Sequence, residues 1–425
     1  MPSSKSGRRI FPTADPPTMQ GALDGIRILD LTTVLMGPYA TQLLADMGAD
    51  VIKIEPPEGD LVRHIGPMRH PGMGGIFLHV NRNKRSIVLD LKQPAALAAL
   101  LALTRDADVV VCNIRKQAMQ RLGITYERLR LENPAIIYAS LCGYGENGPY
   151  AGSPAYDDLI QGAAAIPSLM QQASGGEPRY IPLALADRSV GLMAANAILA
   201  AIIARSRTGS GQEIEVPMFE TMAQLVLSDH LGGETFVPAL GPTGYARLLV
   251  PERRPYRTRD GYLCMLLYTD RHWRSFLALA GLAERCRDDA RFASIATRTQ
   301  HIGALYGLVA EALLERSTAQ WIEMLTAADI ACTRLHNVDS LIDDLHLRET
   351  GFIRTVTHPT QGLVRELGVP VRMSATPAAA MQKPAPALGQ HTEEVLREAG
   401  LSPDEIAALI LSGAARTPLP DEGMP

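Results

Sequence analysis

Gly25-Ile-Arg-Ile-Leu-Asp-Leu31, an apolar-periodic run from Pro38 to Met47 closed by Gly48, and Asp50-Val-Ile-Lys-Ile-Glu55 together decide the fold. The two outer segments are near-continuous in Val, Ile and Leu, as strands covered on both faces are, and the middle one has helical spacing with Pro in its first turn and Gly after its last. This is a βαβ unit. The pattern recurs with a helix over Pro94 to Arg105, a strand at Asp108-Val-Val-Val-Cys-Asn113, short helices to Glu132 and a strand at Ala135-Ile-Ile-Tyr-Ala-Ser140. The expected fold class is α/β, with an open, doubly wound, mostly parallel sheet.

Further along, an Ala/Leu/Ile-rich stretch from Gly191 to Arg207 predicts a helix and Glu213-Ile-Glu-Val-Pro217 a strand. Residues 232 to 255 are rich in Gly, Pro and Arg and mark a domain boundary. Tyr256 to Leu267 predicts a hairpin turning at Asp260-Gly261. Helical periodicity follows from Arg271 to Ala328, strand-forming segments return near Gly362 to Val371, and Thr392 to Ser412 predicts an amphipathic helix.

With 425 residues, the chain is long enough for two hydrophobic cores. Its formal net charge of -4 gives no support for a nucleic-acid partner, so an anionic ligand needs a local basic cluster. The five cysteines are odd in number, widely spaced and without a Cys-x-x-Cys pair, which argues against a disulfide framework or zinc site. Met1 to Gln20 is polar and rich in Ser, Pro and Arg, and we expect a disordered leader rather than a secretory signal. No run is read as long enough to span a bilayer, and the expected location is cytoplasmic.

Three local features are candidates for function. Gly143-Tyr-Gly145-Glu-Asn-Gly148 matches a dinucleotide fingerprint, but Pro149-Tyr-Ala-Gly-Ser-Pro154 after it cannot open the helix that would face a pyrophosphate. Asn81-Arg-Asn-Lys-Arg-Ser86 is either a solvated basic loop or a phosphate-binding one. Asp187, in Leu183-Ala-Leu-Ala-Asp-Arg-Ser-Val-Gly191, stands before a helix that Ser189 could cap; by position it is an N-terminal acid, and by its apolar context a candidate nucleophile. Ala155-Tyr-Asp-Asp158 supplies a second acidic pair, also explicable as a helix start.

These segments together resemble the class III CoA-transferase (CaiB/BaiF) family, which includes formyl-CoA:oxalate CoA-transferase. The resemblance runs from Leu23-Asp-Gly-Ile-Arg-Ile-Leu-Asp-Leu31 through Leu44 to Glu55, Asn81 to Lys92, Asp106 to Gly123, Ala139 to Gly145, Ala186-Asp187 and Thr208 to Gln212, to Pro386-Ala-Leu-Gly-Gln-His-Thr-Glu-Glu-Val-Leu396. It implies an interlocked homodimer. Residues 21–225 would begin a large Rossmann-like CoA-binding domain, 226–335 would form a smaller α/β domain with its linkers, and 336–425 would complete the large one. By resemblance, CoA is contacted by Leu35 and Met36, by Leu89, Asp90, Leu91 and Lys92 at the adenosine end, by Asn113, Ile114 and Arg115, by Arg121, and by Cys142, Gly143, Tyr144 and Gly145 beside the thioester. Asp187 falls on the family's nucleophile. Glycines of the 143–148 loop could offer N–H groups to an oxyanion. CoA and acyl-CoA are implied as substrates, with a small carboxylic acid as second substrate and no tightly bound cofactor or metal.

The chain departs from the family at Pro56, at Arg115-Lys-Gln117 and in its shorter glycine segments Gly232-Gly233 and Gly241-Pro-Thr-Gly244, which points away from oxalate. Arg247, Arg253 and Arg254 are either partners for a dicarboxylate or solvated surface charge. Two other functions compete. The α-methylacyl-CoA racemase branch carries Gly-His-Asp where this chain has Ala155-Tyr156-Asp157, and Tyr is a poor base at neutral pH. A non-catalytic CoA-binding protein is the alternative of another class.

Overall fold

The computed structural model describes residues 21–378 and 383–418, so the expected leader lies outside the described residues. Six parallel strands form the main sheet: β1 (Arg27–Leu31), β2 (Asp50–Glu55), β3 (Lys84–Leu89), β4 (Val109–Cys112), β5 (Ile137–Cys142) and β6 (Glu213–Pro217). Their spatial order, β3-β2-β1-β4-β5-β6, reverses between β1 and β4, and Ile28 stands beside Val51 on one side and Val109 on the other. That reversal opens a crevice at the carboxyl ends of β1 and β4, where doubly wound sheets bind ligands.

Strand alternation divides the core between the two faces. Ile28, Val51 and Val109 point into a cluster with Leu44, Val190 and Ile198 from the Met36–Asp46 and Leu185–Thr208 helices. Leu29, Ile52 and Val110 point the other way, toward the Pro94–Thr104 helix and the C-terminal Leu396 and Ile406. At Gly191 the two helices of the first face meet so closely that a Cβ would stand 2.8 Å from the Met36 carbonyl oxygen and 3.0 Å from the Tyr39 ring.

A third cluster, with Trp273, Phe276, Leu305 and Trp321 among its members, packs on a three-stranded antiparallel sheet of β7 (Tyr256–Arg257), β8 (Tyr262–Met265) and β9 (Cys332–Arg334). The hairpin expected at Asp260-Gly261 is the β7–β8 connection. A second hairpin joins β10 (Ile353–His358) to β11 (Gly362–Leu367). The chain then returns to the large sheet, where β12 (Ala415–Arg416) adds antiparallel to β3.

Three expectations need correction. The single C-terminal helix is two, Thr392–Glu398 and Pro403–Leu411, because Gly400 turns with positive φ and Ser402 starts a new helix through a capping box with Glu405. The helix expected from Gly191 begins at Leu185, so Asp187 lies in its first turn and Ser189 caps nothing. At 24 residues, that helix is also long and apolar enough to cross a membrane by length and composition, contrary to the sequence reading. One face of it, with Ala186, Val190, Ala194 and Ile198, is buried against the sheet and the Met36–Asp46 helix.

Candidate active site

At the crevice, the chain leaving β1 makes a turn over residues 32–35 before the Met36–Asp46 helix begins. Val34 adopts φ 70°, a conformation that a β-branched side chain strongly disfavours. Long-range hydrogen bonds hold this turn. Asn113 accepts from the Thr33 N–H at 2.9 Å and donates back to the Thr33 carbonyl at 2.8 Å, and Asp60 accepts from the Val34 N–H at 3.0 Å. Such strain persists only where surrounding contacts over-determine it, which is common at ligand sites.

The turn forms one wall of a cavity of about 220 Å³, whose other walls include Asn113 to Lys116, Leu141 to Tyr144, Gly152 to Tyr156, and Asp187. Eight of the expected CoA contacts meet here: Leu35, Met36, Asn113, Ile114, Arg115, Cys142, Gly143 and Tyr144. The other six are not among its lining residues. Leu89 ends β3, two strands from β1 on the same sheet edge, with Asp90, Leu91 and Lys92 just beyond it. Arg121 is in the last turn of the Lys116–Leu122 helix. Gly145 is not among the lining residues; its N–H donates to the Glu220 carboxylate at 2.9 Å, and the Glu146 N–H donates to Glu215 at 3.1 Å. Of the loop glycines expected to serve an oxyanion, Gly145 has its N–H engaged in this way and Gly148 donates to the Gly145 carbonyl at 3.2 Å, while Gly143 lines the cavity. Tyr144 packs edge-on to Tyr150, with ring centroids 5.4 Å apart, and against Phe219 at 5.6 Å.

Asp187 is the third residue of its helix and is partly buried. Its carboxylate receives no hydrogen bond among the described residues. Burial, followed by the negative charge of Asp157, pushes its pKa up to about 6, and the Arg188 cation works in the opposite direction. The Arg188 guanidinium stacks 4.4 Å over the Tyr39 ring. Cys142, on the cavity wall, is pushed up to about 12 by burial and by Glu215, Glu146 and Glu220, so it is a poor nucleophile at neutral pH. Tyr156, in place of a racemase histidine, is 68% exposed at the cavity rim.

The basic segment 81–86 fits neither reading offered by its sequence. Lys84 is fully buried, with Nζ 3.0 Å from Asp30, 2.8 Å from Thr41 Oγ1 and 2.9 Å from the Pro38 carbonyl. Arg82 pairs with Asp46 at 2.7 Å, and Arg85 with Asp50 at 2.6 Å and Glu398 at 2.7 Å. Although burial alone would raise the Asp30 pKa, Lys84 and Lys53 hold it well below the usual carboxylate range. These cations brace the sheet under the Met36–Asp46 helix. Arg247, for its part, donates to the Tyr306 hydroxyl at 3.2 Å in the smaller cluster and does not line the cavity; Arg253 and Arg254 are also absent from its walls.

The sequence reading missed the braces Asp60 and Gln161 and the position of Asp157 beside Asp187. Several of their partners lie far along the chain, as Val34 does for Asp60, Ile181 for Gln161 and Asp187 for Asp157, out of reach of any local pattern.

Comparison with known proteins agrees with this geometry. The family description "CoA-transferase family III" matches residues 23–392. The chain is 31% identical over 399 residues to the succinate–glutarate CoA-transferase of Agrobacterium fabrum, covering 90% of this chain and 97% of that protein. It is 32% identical over 397 residues to the succinyl-CoA:mesaconate CoA-transferase of Haloarcula marismortui, with the same two coverages of 90% and 97%. The crystal structure of a CAIB/BAIF family protein from Brucella suis superimposes with TM-score 0.74 at 30% identity, covering 89% of this chain and all of that one. A β3-β2-β1-β4-β5-β6 sheet with a cavity at its switch point, together with these likenesses along nearly the whole chain, establishes that the protein belongs to the CoA-transferase family III, the CaiB/BaiF family.

Proposed function

We propose that the enzyme moves CoA from an acyl-CoA donor to a dicarboxylic acid through a covalent intermediate on Asp187. One observation carries the reading: an unpaired, partly buried carboxylate shares a cavity with the turn after β1 and the β4 and β5 ends, where the resemblance puts CoA. The Asp187 carboxylate attacks the donor thioester carbonyl and expels CoA thiolate, leaving an acyl-aspartyl anhydride. The thiolate then attacks the aspartyl carbonyl, releasing the donor acid and leaving an aspartyl-CoA thioester. The acceptor carboxylate runs the two steps in reverse. Holding CoA between half-reactions makes them effectively unimolecular.

The dicarboxylate assignment rests on relatives named for succinate, glutarate and mesaconate. Arg115 and Lys116, exposed at the cavity rim, are the cations proposed for CoA phosphates. We extend the proposal to a cytoplasmic homodimer in which residues 226–335 form the small domain. Leu192, Met193 and Ile203 on the long helix and Leu225, Leu227 and Leu231 at the end of the next one support it, since they are exposed apolar groups of the kind that association covers.

The test is to incubate the protein with succinyl-CoA, quench with hydroxylamine and map the modified residue by mass spectrometry. A hydroxamate at Asp187, absent in Asp187→Ala, supports the reading. Unmodified Asp187 with transfer intact defeats it, and α-proton exchange of a branched acyl-CoA without transfer would favour the racemase. Light scattering at twice the chain mass tests the dimer.

A further inference from the structure

The Leu185–Thr208 helix starts from Ala184, which has no side chain able to cap it. A helix N-terminus presents unpaired N–H groups and a partial positive charge, and an acid there is stabilised by both. Two carboxylates compete for this one end, Asp187 from within the helix and Asp157 from the first turn of the neighbouring Asp157–Ala163 helix. Asp157 wins the hydrogen bond: its Oδ1 accepts from the Asp187 N–H at 3.0 Å. Its Oδ2 accepts from Gln161 Nε2 at 2.7 Å. Gln161 is fully buried; its Oε1 accepts from the Ile181 N–H at 3.0 Å and its Nε2 also donates to the Leu183 carbonyl at 3.2 Å. Residues 181–187, which deliver Asp187 to the cavity, are therefore lashed to one short helix.

We propose that Asp157 is a positioning residue for the transfer: it fixes the Asp187 backbone and, by occupying the helix end as an anion, leaves the Asp187 carboxylate free of hydrogen bonds as an unshielded nucleophile. The proposal rests on Asp187 being the nucleophile. Two carboxylates with roles divided by environment are a recurring catalytic arrangement, and a more basic carboxylate attacks a carbonyl faster. The groups facing Asp187 are few. Arg188 is on its own helix, Tyr156 and Asp157 are at the start of the Asp157–Ala163 helix, and Cys142 ends β5 with Tyr144 and Glu146 just beyond it. Arg115 and Lys116 come from the end of β4. Among them, Asp157 is the carboxylate whose charge acts directly on Asp187.

The experiment follows CoA transfer from succinyl-CoA to glutarate against pH in wild type, Asp157→Asn, Asp157→Glu and Asp187→Asn. In wild type the acidic limb is expected near pH 6, where Asp187 loses its proton. Asp157→Asn keeps an acceptor for the Asp187 N–H but removes the charge. Its limb should move roughly one pH unit lower and its plateau rate should fall on the order of tenfold. Asp157→Glu should lower the plateau and leave the limb in place. Asn turns a second donor toward Gln161, so some stability loss is expected in any case, but a purely structural cap would not move the limb. An unmoved limb in Asp157→Asn overturns the proposal while leaving the nucleophile intact; sustained transfer by Asp187→Asn overturns the nucleophile itself. If Asp157→Asn does not fold, carbon-13 carboxyl titration of Asp187 in wild type decides, since a midpoint below pH 5 also overturns the proposal.

Discussion

Replacing Asp187 by Asn should stabilise the fold while removing activity, and the gain should depend on pH in a way set by the site. In the unfolded chain an Asp ionises near 3.8, whereas in the folded chain burial and Asp157 delay Asp187 until about 6. Between those values the native state binds more protons than the unfolded one, so rising pH costs stability. A displacement of roughly two units at 1.36 kcal/mol each sets an upper bound of about 3 kcal/mol; partial solvent access reduces the expected gain to about 1–3 kcal/mol. Asn is nearly isosteric and never ionises, so the variant escapes this cost. The assay is urea denaturation of wild type and variant at matched protein concentration from pH 4 to pH 8. The difference should be near zero at pH 4, grow through pH 6 and level off above pH 7 in favour of the variant. A pH-independent difference, or a more stable wild type at pH 7.5, would refute the unpaired-carboxylate account.

Lys84→Met should destabilise by about 3–5 kcal/mol, because it removes the ion-pair partner of the buried Asp30 carboxylate, as chemical denaturation would register. Gly191→Ala forces a methyl group against the Met36 carbonyl and Tyr39 ring, so a loss of about 1–3 kcal/mol is expected by the same measurement, with a raised KM for CoA if the Met36 turn shifts. Native Cys142 should resist iodoacetamide at pH 8 and react only on unfolding, which peptide mapping can follow.

Much of the large sheet was legible because β1, β2, β4 and β5 are each rich in apolar residues. Strand order was not, since nothing local to Ala415-Arg416 announces that two residues near the C-terminus will pair with β3. The start of the Leu185 helix was misjudged for a related reason. Ser and Asp near its beginning suggested a local cap, while the group that actually caps it, Asp157, is thirty residues away. The basic segment at 81–86 is the clearest case. A window around it contains six polar or charged side chains and suggests solvent or phosphate, yet the acids that neutralise it arrive from β1, β2, the helix between them and the C-terminal Thr392–Glu398 helix. Asp187 itself was located by resemblance, and its physical character became visible only with its neighbours in place.

The buried cations beneath the first helix also bear on how this chain can change over generations. Lys84 cannot be lost while Asp30 remains, nor Arg82 while Asp46 does, without stranding a charge in the interior. Each pair is therefore passable only by a double step, and single substitutions there are closed off whatever the enzyme's substrate. A descendant could exchange one acid for another, or abandon catalysis altogether, and still carry Asn81-Arg-Asn-Lys-Arg-Ser86. That segment serves the scaffold rather than the substrate, and a search for new specificities should look instead to the residues around Asp187.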